Sequence, residues 1–417
     1  MRGTVTSAAI AARYRNSYAR AGGYLPENRE AAHAWLREFT EQASEWKEEH
    51  VPSVAALAQL VDTDPVVKEY VTAMIEQVPQ EERVVSDIPH LLQCLDKITV
   101  TAPAYAWNPD DRIFFPMSNL FVHLMATDGG WNVFRNKQFN EKLTGVLQAW
   151  YDFLDKEESC SVLNDKATGW FSQPAYEQFK LYEFELDRDK PYWGFTSYND
   201  FFHRRIKPEF RPLAADDNAV VSANDGTVLR YRQGVKRQDQ FWLKGQPYSL
   251  ENMLNGSQYV EKFADGDVFQ SFLSGADYHR WHAPVAGEVV AVEKVPGYTF
   301  AELQSMGEDP TAGTHSQCYG ASVNTRGIVI IKSTAPDIGY VGVIPIGITE
   351  ISSITHTVAE KQTVGKGQEL GYFSFGGSSM CLLFEKNAVE LTAPDNKKDG
   401  FDGGAPVFVN AQIARAK

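Results

Sequence analysis

The sequence lacks several features that would by themselves assign a compartment or a class of partner. Its four cysteines, Cys94, Cys160, Cys318 and Cys381, are far apart and form no CxxC pair. This spacing excludes a disulfide framework and a cysteine zinc site, and it is typical of a reducing compartment. No signal peptide opens the chain and no apolar run of about 18 residues occurs. We therefore predict a soluble, cytoplasmic protein with no stable membrane insertion.

Basic residues are also scarce relative to acidic ones. The 417 residues include 40 Lys and Arg against 54 Asp and Glu, a formal net charge of −14. Binding to nucleic acid requires a basic face, so we predict no nucleic-acid partner. The same balance disfavours electrostatic docking on anionic membranes. The 43% hydrophobic content permits large cores, and the length fits two or three domains.

The N-terminal third has the periodicity of helices. Apolar residues recur at helical spacing over about 27–49 and 140–154, and Asp64-Pro65 and Asp87 are start signals for two further helices. The segment 99–119 is predicted to be irregular. Four histidines have no ligand-like partner three or four positions away, and we expect them at the surface or hydrogen-bonded in the core: His33, His50, His90 and His123. We predict a helical domain over 1–165 and a linker or crossover over 166–196.

From Ala219 onward the pattern is predominantly that of β-strands. Residues 219–231 predict a strand, a turn at Asn224-Asp225-Gly226 and a second strand, which is a hairpin signal. Further strands are predicted at 268–273, 287–292, 328–333, 340–346 and 369–375. The fold class is therefore α+β, with a helical N-terminal domain followed by a mainly antiparallel or mixed β domain over 197–417.

The stretch GYFSFGGSSMCLLFE, residues 371–385, predicts two short strands around a Gly-Gly-Ser-Ser turn. Such a turn is ordinary by itself. Gly376 and Gly377 can adopt strained backbone angles, and the hydroxyl of Ser378 can then reach the carbonyl of Gly377. Attack would convert the amide into an ester, and elimination would leave a pyruvoyl group at the new N-terminus.

The stretch DYHRWHAPV, residues 277–285, contains two histidines three positions apart, His279 and His282. This spacing suits a metal, but no further ligand set has matching spacing, so we predict no metal site. One histidine can instead act as a general base toward a hydroxyl and be oriented by a carboxylate. Asp225 and Ser378 are the candidate carboxylate and hydroxyl.

Residues 197–213, SYNDFFHRRIKPEFRPL, place two phenylalanines beside a run of cations. The phenylalanines are expected to pack on the following domain. The cations are predicted to form a local basic face, which is either a solvated helix end or an attraction for an anionic substrate: Arg204, Arg205, Lys207 and Arg211.

Together these stretches resemble the phosphatidylserine decarboxylase family of pyruvoyl enzymes. The matches occur in family order: FFHRRIKPEFRP (201–212), SANDG (222–226), DYHRWHAPV (277–285) and FGGSS (375–379). The resemblance implies that Asp225, His282 and Ser378 are the self-processing triad. It also implies cleavage between Gly377 and Ser378, and it places His279 near the substrate. The common pattern has Gly-Ser-Thr where this chain has Gly-Ser-Ser, which leaves the reactive serine in place.

The resemblance also implies the chemistry. A pyruvoyl group derived from Ser378 would form a Schiff base with a substrate amine and accept the electron pair left when CO₂ departs, while His279 returns a proton. Neither pyridoxal phosphate nor a metal is expected. The cleaved chains, 1–377 and 378–417, are expected to stay together, and a homo-oligomer is compatible with the sequence.

The substrate is the least constrained prediction. The helical N-terminal domain and PYWGFTSYNDFF (191–202) resemble the soluble fungal branch that decarboxylates free aromatic amino acids, L-tryptophan first. The loop 298–318, with Tyr298, Phe300 and Leu303, is predicted to close an apolar wall over the ring. Phosphatidylserine or a related lipid is the alternative. Two weaker alternatives are a lipoyl or biotinyl carrier, suggested by HAPVAGEVVAV and VGKGQEL, and an inactive scaffold.

Overall fold

The computed structural model describes residues 29–106, 115–238, 248–273, 275, 277–301, 313–350, 353–375, 378–393 and 405–417. The chain divides into two compact units. The helical unit comprises 1–178, 188–199 and 298–314, and the β unit comprises 179–187, 200–297 and 315–417. The predicted α+β class is confirmed, because helices dominate the first unit and antiparallel sheets dominate the second. The predicted domain boundaries at 165 and 197 stay a prediction.

Short, capped helices build the helical unit. They are α1 Arg29–Ser44, α2 Pro52–Thr63, α3 Pro65–Glu76, α4 Ile88–Thr99, α5 Pro116–Met125, α6 Asp128–Val133, α7 Lys137–Leu154 and α8 Gln173–Gln178, with 3-10 turns at Glu157–Val162 and Pro191–Gly194. Asp64 begins α3 by accepting bonds from the amides of Val66 and Val67, and Asp87 caps α4 in the same way. α2 packs on α7, and α3 packs on α6.

Helix α5 corrects the prediction that residues 99–119 are irregular throughout. The helix begins at Pro116, and all ten of its residues are buried. A helix that is buried all round has no polar face, so its sequence carries no amphipathic period by which to recognise it.

The β unit contains three antiparallel sheets. Its strands are β1 Ala219–Val221, β2 Gly226–Gln233, β3 Asp267–Leu273, β4 Arg280–His282, β5 Gly287–Val295, β6 Arg326–Ser333, β7 Tyr340–Gly347, β8 Ile354–His356, β9 Thr363–Val364, β10 Glu369–Phe373, β11 Ser378–Phe384, β12 Val389–Leu391, β13 Pro406–Val407 and β14 Gln412–Ala416. The large sheet has the order β13-β2-β3-β11-β7-β6-β5-β9. The two small sheets have the orders β1-β14-β12 and β4-β10-β8.

Further helices lie within the β unit or begin at its boundary. They are α9 Tyr198–Phe202, α10 Leu250–Met253, α11 Val260–Phe263 and α12 Gly313–Val323, with 3-10 turns at Leu181–Glu183 and Pro208–Phe210. Residues of α10, α11 and α12 form one core cluster with alternate residues of β6, β7 and β11. Because side chains alternate along a strand, Cys381 and Leu383 face this cluster, whereas Ser378 and Met380 face the other side.

Two predicted hairpins are in fact corners between sheets. Residues 219–231 do contain two strands, but β1 pairs with β14 and β2 pairs with β3 and β13. In the same way β10 pairs with β4 and β8, whereas β11 pairs with β3 and β7. The Asn224-Asp225-Gly226 turn and the Gly-Gly-Ser-Ser segment therefore each carry the chain from a small sheet into the large one.

The start of the segment 298–318 is anchored within the helical unit. The amide of Thr299 donates to Asn140 Oδ1 over 3.1 Å. The Phe300 ring, 1% exposed, packs edge-on against Phe121 at 4.9 Å between centroids and near Phe134 at 5.9 Å. Phe300 is thus a core residue and not part of an open apolar wall. Leu303 lies outside the described residues, and α12 begins at Gly313, inside the predicted loop.

Candidate active site

Ser378 is the first residue of β11, a central strand of the large sheet. It pairs with Leu273 on β3 and with Gly347 on β7 and is completely buried. Its Oγ has no hydrogen-bond partner among the described residues. The preceding Gly376 and Gly377 lie outside the described residues. A buried hydroxyl without a partner is unfavourable by roughly 1–3 kcal/mol, which makes this oxygen the candidate for chemistry in the site.

The neighbouring Ser379 has a hydroxyl that is fully used. Its Oγ donates to the carbonyl of Ser271 over 3.1 Å and accepts a bond from Gln270 Nε2 over 2.8 Å. Ser379 points to the opposite side of the sheet from Ser378, because adjacent side chains on a strand alternate. The geometry therefore distinguishes the two serines: Ser379 is a structural residue, whereas the oxygen of Ser378 is available for chemistry.

His282 is held by hydrogen bonds at both ring nitrogens. Nδ1 is 2.8 Å from the carbonyl of Gly367, which only accepts, so this nitrogen carries the proton. Nε2 is then the acceptor for the Tyr278 hydroxyl at 2.9 Å. Burial raises the pKa of the Tyr278 phenol, which therefore remains a donor. Gly367 has φ +80°, a left-handed conformation that favours glycine and directs this carbonyl toward the ring.

The pKa of His282 is lowered from its ordinary value, chiefly by burial. The bond to Gly367 and the negative charges of Glu369 and Asp225 oppose this shift without cancelling it. The imidazole is consequently neutral near pH 7, which is the form a general base requires.

Asp225, which is 5% exposed, is fixed by a guanidinium. Arg211 Nε donates to Oδ1 at 3.0 Å and to Oδ2 at 2.9 Å, and a terminal nitrogen of Arg211 lies 2.6 Å from Oδ2. The amide of Val409 donates to Oδ1 over 2.8 Å. The other terminal nitrogen of Arg211 bonds to Glu183 Oε2 over 3.0 Å. Both oxygens of the Asp225 carboxylate are thus hydrogen-bonded, in a buried cluster with Arg211 and Glu183.

The fold brings the three predicted triad residues into one neighbourhood. β2 and β11 both pair antiparallel with β3, so they run parallel and begin at the same end of the sheet, two strand spacings or roughly 10 Å apart. Asp225 immediately precedes β2, and Ser378 begins β11. The amide of His282 donates to the carbonyl of Ala223 over 2.8 Å. Among the described residues, however, no hydrogen bond joins Asp225 to His282 or His282 to Ser378.

His279 occupies a different environment from His282. It is completely buried and stacks on Phe202, with ring centroids 4.0 Å apart and an interplanar angle of 28°. Phe202 in turn contacts Phe375, just before the glycine pair, at 5.3 Å. The carbonyl of His279 accepts from the amide of Phe373 over 3.0 Å. His279 immediately precedes β4, whereas His282 is the last residue of that strand.

The predicted basic face of residues 204–211 does not form. Arg204 is buried and lies over the rings of Phe184 and Phe201, and Arg211 is bound to Asp225 and Glu183. Arg205, largely exposed, forms a long ion pair with Glu369. Arg204 and Arg211 are therefore interior residues of the β unit. Neither of the two predicted roles, a solvated helix end or a face that attracts an anionic substrate, applies to them.

Sequence reasoning missed the supporting residues of this site. Tyr278 precedes strand β4, and no local pattern indicates that its hydroxyl bonds to His282. No local pattern indicates that Arg211 binds Asp225 or that Glu183 joins them, because these contacts depend on tertiary structure.

Known protein families match both parts of this chain. The family model described as phosphatidylserine decarboxylase matches residues 198–408, about half of the chain, and a second model of that description matches residues 51–179. The chain belongs to the phosphatidylserine decarboxylase family. The predicted family is thus confirmed, and the protein is a decarboxylase, that is, a carboxy-lyase.

The relatives named here differ in the share of this chain that they cover. Decarboxylase iboD from Amanita muscaria is 35% identical over 331 residues, 72% of this chain and 94% of its own length. The L-tryptophan decarboxylase of Psilocybe cubensis is 31% identical over 353 residues, 78% of this chain and 79% of its own. The phosphatidylserine decarboxylase proenzyme of Fusobacterium nucleatum is 35% identical over 215 residues, 50% of this chain and 67% of its own.

Within the described ranges, none of the helices has both the length and the apolar character needed to cross a bilayer.

Proposed function

We propose that this protein is a self-processing, pyruvoyl-dependent decarboxylase of a free aromatic L-amino acid, with L-tryptophan as the preferred substrate. The observation that carries the proposal is the contrast between the two serines. The Ser378 hydroxyl is buried without a partner among the described residues, whereas the Ser379 hydroxyl makes two hydrogen bonds.

Processing begins with attack of Ser378 Oγ on the carbonyl carbon of Gly377. The C–N bond between these residues breaks, the amine of Ser378 takes up the hydroxyl proton, and an ester remains. Abstraction of the Ser378 α-proton then expels the Gly377 carboxylate from the β-carbon and leaves a dehydroalanine. Water hydrolyses its imine tautomer, which releases ammonia and leaves the pyruvoyl group at residue 378.

His282 is the base proposed for the first proton transfer. Its neutral form and its Nδ1–H bond to Gly367 leave the lone pair on Nε2. Tyr278 occupies that lone pair, so the phenol either relays the proton or moves aside. Asp225 assists through its charge, which favours the imidazolium, rather than through a direct bond. Arg211 is a positioning residue that holds the Asp225 carboxylate in the site.

The surroundings of Ser378 fit formation of the proposed prosthetic group, because the oxygen that attacks Gly377, and that would then leave with the Gly377 carboxylate, has no hydrogen-bond partner among the described residues. Once formed, the group supplies a ketone that captures the substrate amine and a sink for the electrons left by CO₂. His279 is proposed to return the proton to the substrate α-carbon. Its stacking on Phe202 fixes the ring plane and hence the directions of both nitrogens.

The β unit gives a physical reason for the two cleaved chains to stay together. The shorter chain would hold 417 − 377 = 40 residues and would supply β11, β12, β13 and β14. β11 lies between β3 and β7 and pairs with both along all seven of its residues. Dissociation would break these ladders and expose a buried strand.

The choice of an amino acid over a lipid is supported by coverage. The L-tryptophan decarboxylase of Psilocybe cubensis aligns over 78% of this chain, whereas the phosphatidylserine decarboxylase proenzyme of Fusobacterium nucleatum aligns over 50%. Phosphatidylserine remains the second candidate, because both matching family models carry that name.

A direct substrate comparison tests the proposal. Purified enzyme is incubated with L-tryptophan, L-phenylalanine, L-tyrosine and phosphatidylserine in detergent micelles, and amine and CO₂ are measured, with Ser378→Ala as the control. We expect tryptamine as the main product, with detectable turnover of phenylalanine or tyrosine. If kcat/KM for phosphatidylserine exceeded that for every aromatic amino acid, the proposed substrate would be wrong and the lipid would be the substrate. An intact chain in active enzyme would refute self-processing itself.

A further inference from the structure

A buried cluster in the helical unit takes no part in the chemistry proposed above. His33 on α1, Glu82 in the segment after α3 and His123 on α5 converge, and their ligand atoms all lie within 4.8 Å of one another. His33 Nε2 is 2.5 Å from Glu82 Oε2. The two imidazole centroids are 5.0 Å apart. The histidines are 6% and 5% exposed, and the Glu82 side chain is 12% exposed.

An ionised carboxylate in such surroundings is stabilised by a cation beside it. Protonated His33 would be such a cation, but an ion pair between His33 and Glu82 does not include His123. The convergence of His123 on the same point is accounted for when one cation binds all three. Two imidazole nitrogens and one carboxylate oxygen form the ligand set by which proteins bind zinc with one position open to water.

We propose that His33, Glu82 and His123 form a zinc site that ties α1, α5 and the segment after α3 together. Bonds of about 2.0–2.2 Å in a tetrahedron place ligand atoms roughly 3.3–3.5 Å apart. The ligand atoms lie between 2.5 and 4.8 Å apart, so side-chain adjustments of roughly 1 Å suffice. The metal would stabilise the helical unit by binding only its folded form, with water as the fourth ligand.

The sequence gives no sign of this site. Each ligand comes from a different segment, and none has another of the three at the helical spacings of three or four. The expectation that His33 and His123 are ordinary core histidines therefore rested on a local search, which detects only ligands that share an element.

The test uses untagged, full-length protein, so that no affinity tag contributes ligands. The metal content is measured after gel filtration, and Co²⁺ is titrated into chelator-treated protein while visible absorption is recorded. We expect one zinc per chain, one tetrahedral Co²⁺ band and a lower Tm after chelation. In the His123→Gln variant the metal, the band and the chelator effect should all be lost.

His90→Gln is the matched control, since His90 is in the same unit and bonds to Thr40 and Ser86. It should keep the metal and the Co²⁺ band. Circular dichroism establishes that both variants are folded, and Glu82→Gln provides a second disruption if His123→Gln does not fold. The proposal would be overturned if the wild-type protein bound no zinc, gave no Co²⁺ band and showed no change in Tm after chelation. The contact between His33 and Glu82 would then be an ion pair that shares a proton.

Discussion

The two adjacent serines should separate chemistry from stability. Ser378→Ala removes a hydroxyl that makes no hydrogen bond within the described residues, so folding should be nearly unaffected while cleavage is abolished. Ser379→Ala removes two buried hydrogen bonds and leaves Gln270 Nε2 and the Ser271 carbonyl without this partner. Loss of such buried bonds costs about 1–3 kcal/mol, so Ser379→Ala should destabilise the protein but still cleave.

The stability comparison requires chains in the same covalent state. We would therefore measure Ser379→Ala in the Ser378→Ala background, where both proteins are uncleaved. For a domain of this size each kcal/mol shifts Tm by about 2–4 °C, so the double variant should melt roughly 2–12 °C below the single one. Ser379→Thr keeps the hydroxyl and should recover most of the difference.

Cleavage is measured in the single variants by denaturing gels and intact mass, with fragments of 377 and 40 residues expected. Two results would refute the reasoning. If Ser379→Ala abolished cleavage while Ser378→Ala did not, the assignment of the reactive serine would be wrong. If Ser378→Ala were destabilised as strongly as Ser379→Ala, the Ser378 hydroxyl would have a bonding role that the contacts described here do not include.

Three further predictions concern Arg211, His282 and Phe300. Arg211→Met removes three of the four hydrogen bonds to Asp225 and should cost about 3–5 kcal/mol in urea unfolding, with partial recovery when Asp225→Asn is added, because the unpaired charge is then gone. The lowered pKa of His282 keeps the base neutral, so the cleavage rate of freshly synthesised chain should stay level as pH falls to about 6.5 and decline only below it; a decline centred above that value would contradict the assignment. Phe300→Ala should destabilise the helical unit by about 3–5 kcal/mol, as measured by its thermal transition, while cleavage at Ser378 continues.

Local signals recovered most of the elements. Asp64-Pro65 begins a helix where predicted, because capping and proline preferences act within one turn. Strands such as β3 and β7 were found from their apolar runs. Helix α5 was missed because complete burial removes the polar face that makes a helix recognisable.

Strand partners could not be derived in the same way. A turn of the type Asn-Asp-Gly predicts a reversal, but reversal does not fix which strand pairs with which. The partner of β1 is β14, almost 200 residues later, and the partner of β11 on one side is β3. Similarly, Arg211 has no local feature that distinguishes a buried partner of Asp225 from a surface cation.

Both turns connect strands of different sheets, and this position affects the environment of Ser378. At the tip of a hairpin, solvent would satisfy the hydroxyl. At the corner between β10 and β11, the serine instead enters a central strand and is buried at once. Among the described residues its hydroxyl has no partner, a penalty of about 1–3 kcal/mol in the uncleaved chain. Cleavage as proposed removes this hydroxyl from residue 378 and transfers its oxygen to the new carboxylate of Gly377. Before cleavage, a buried hydroxyl without a partner persists only when the surrounding structure stabilises it. The seven-residue ladders on both sides of β11 provide this support before cleavage, and they are the same contacts expected to retain the shorter chain afterwards.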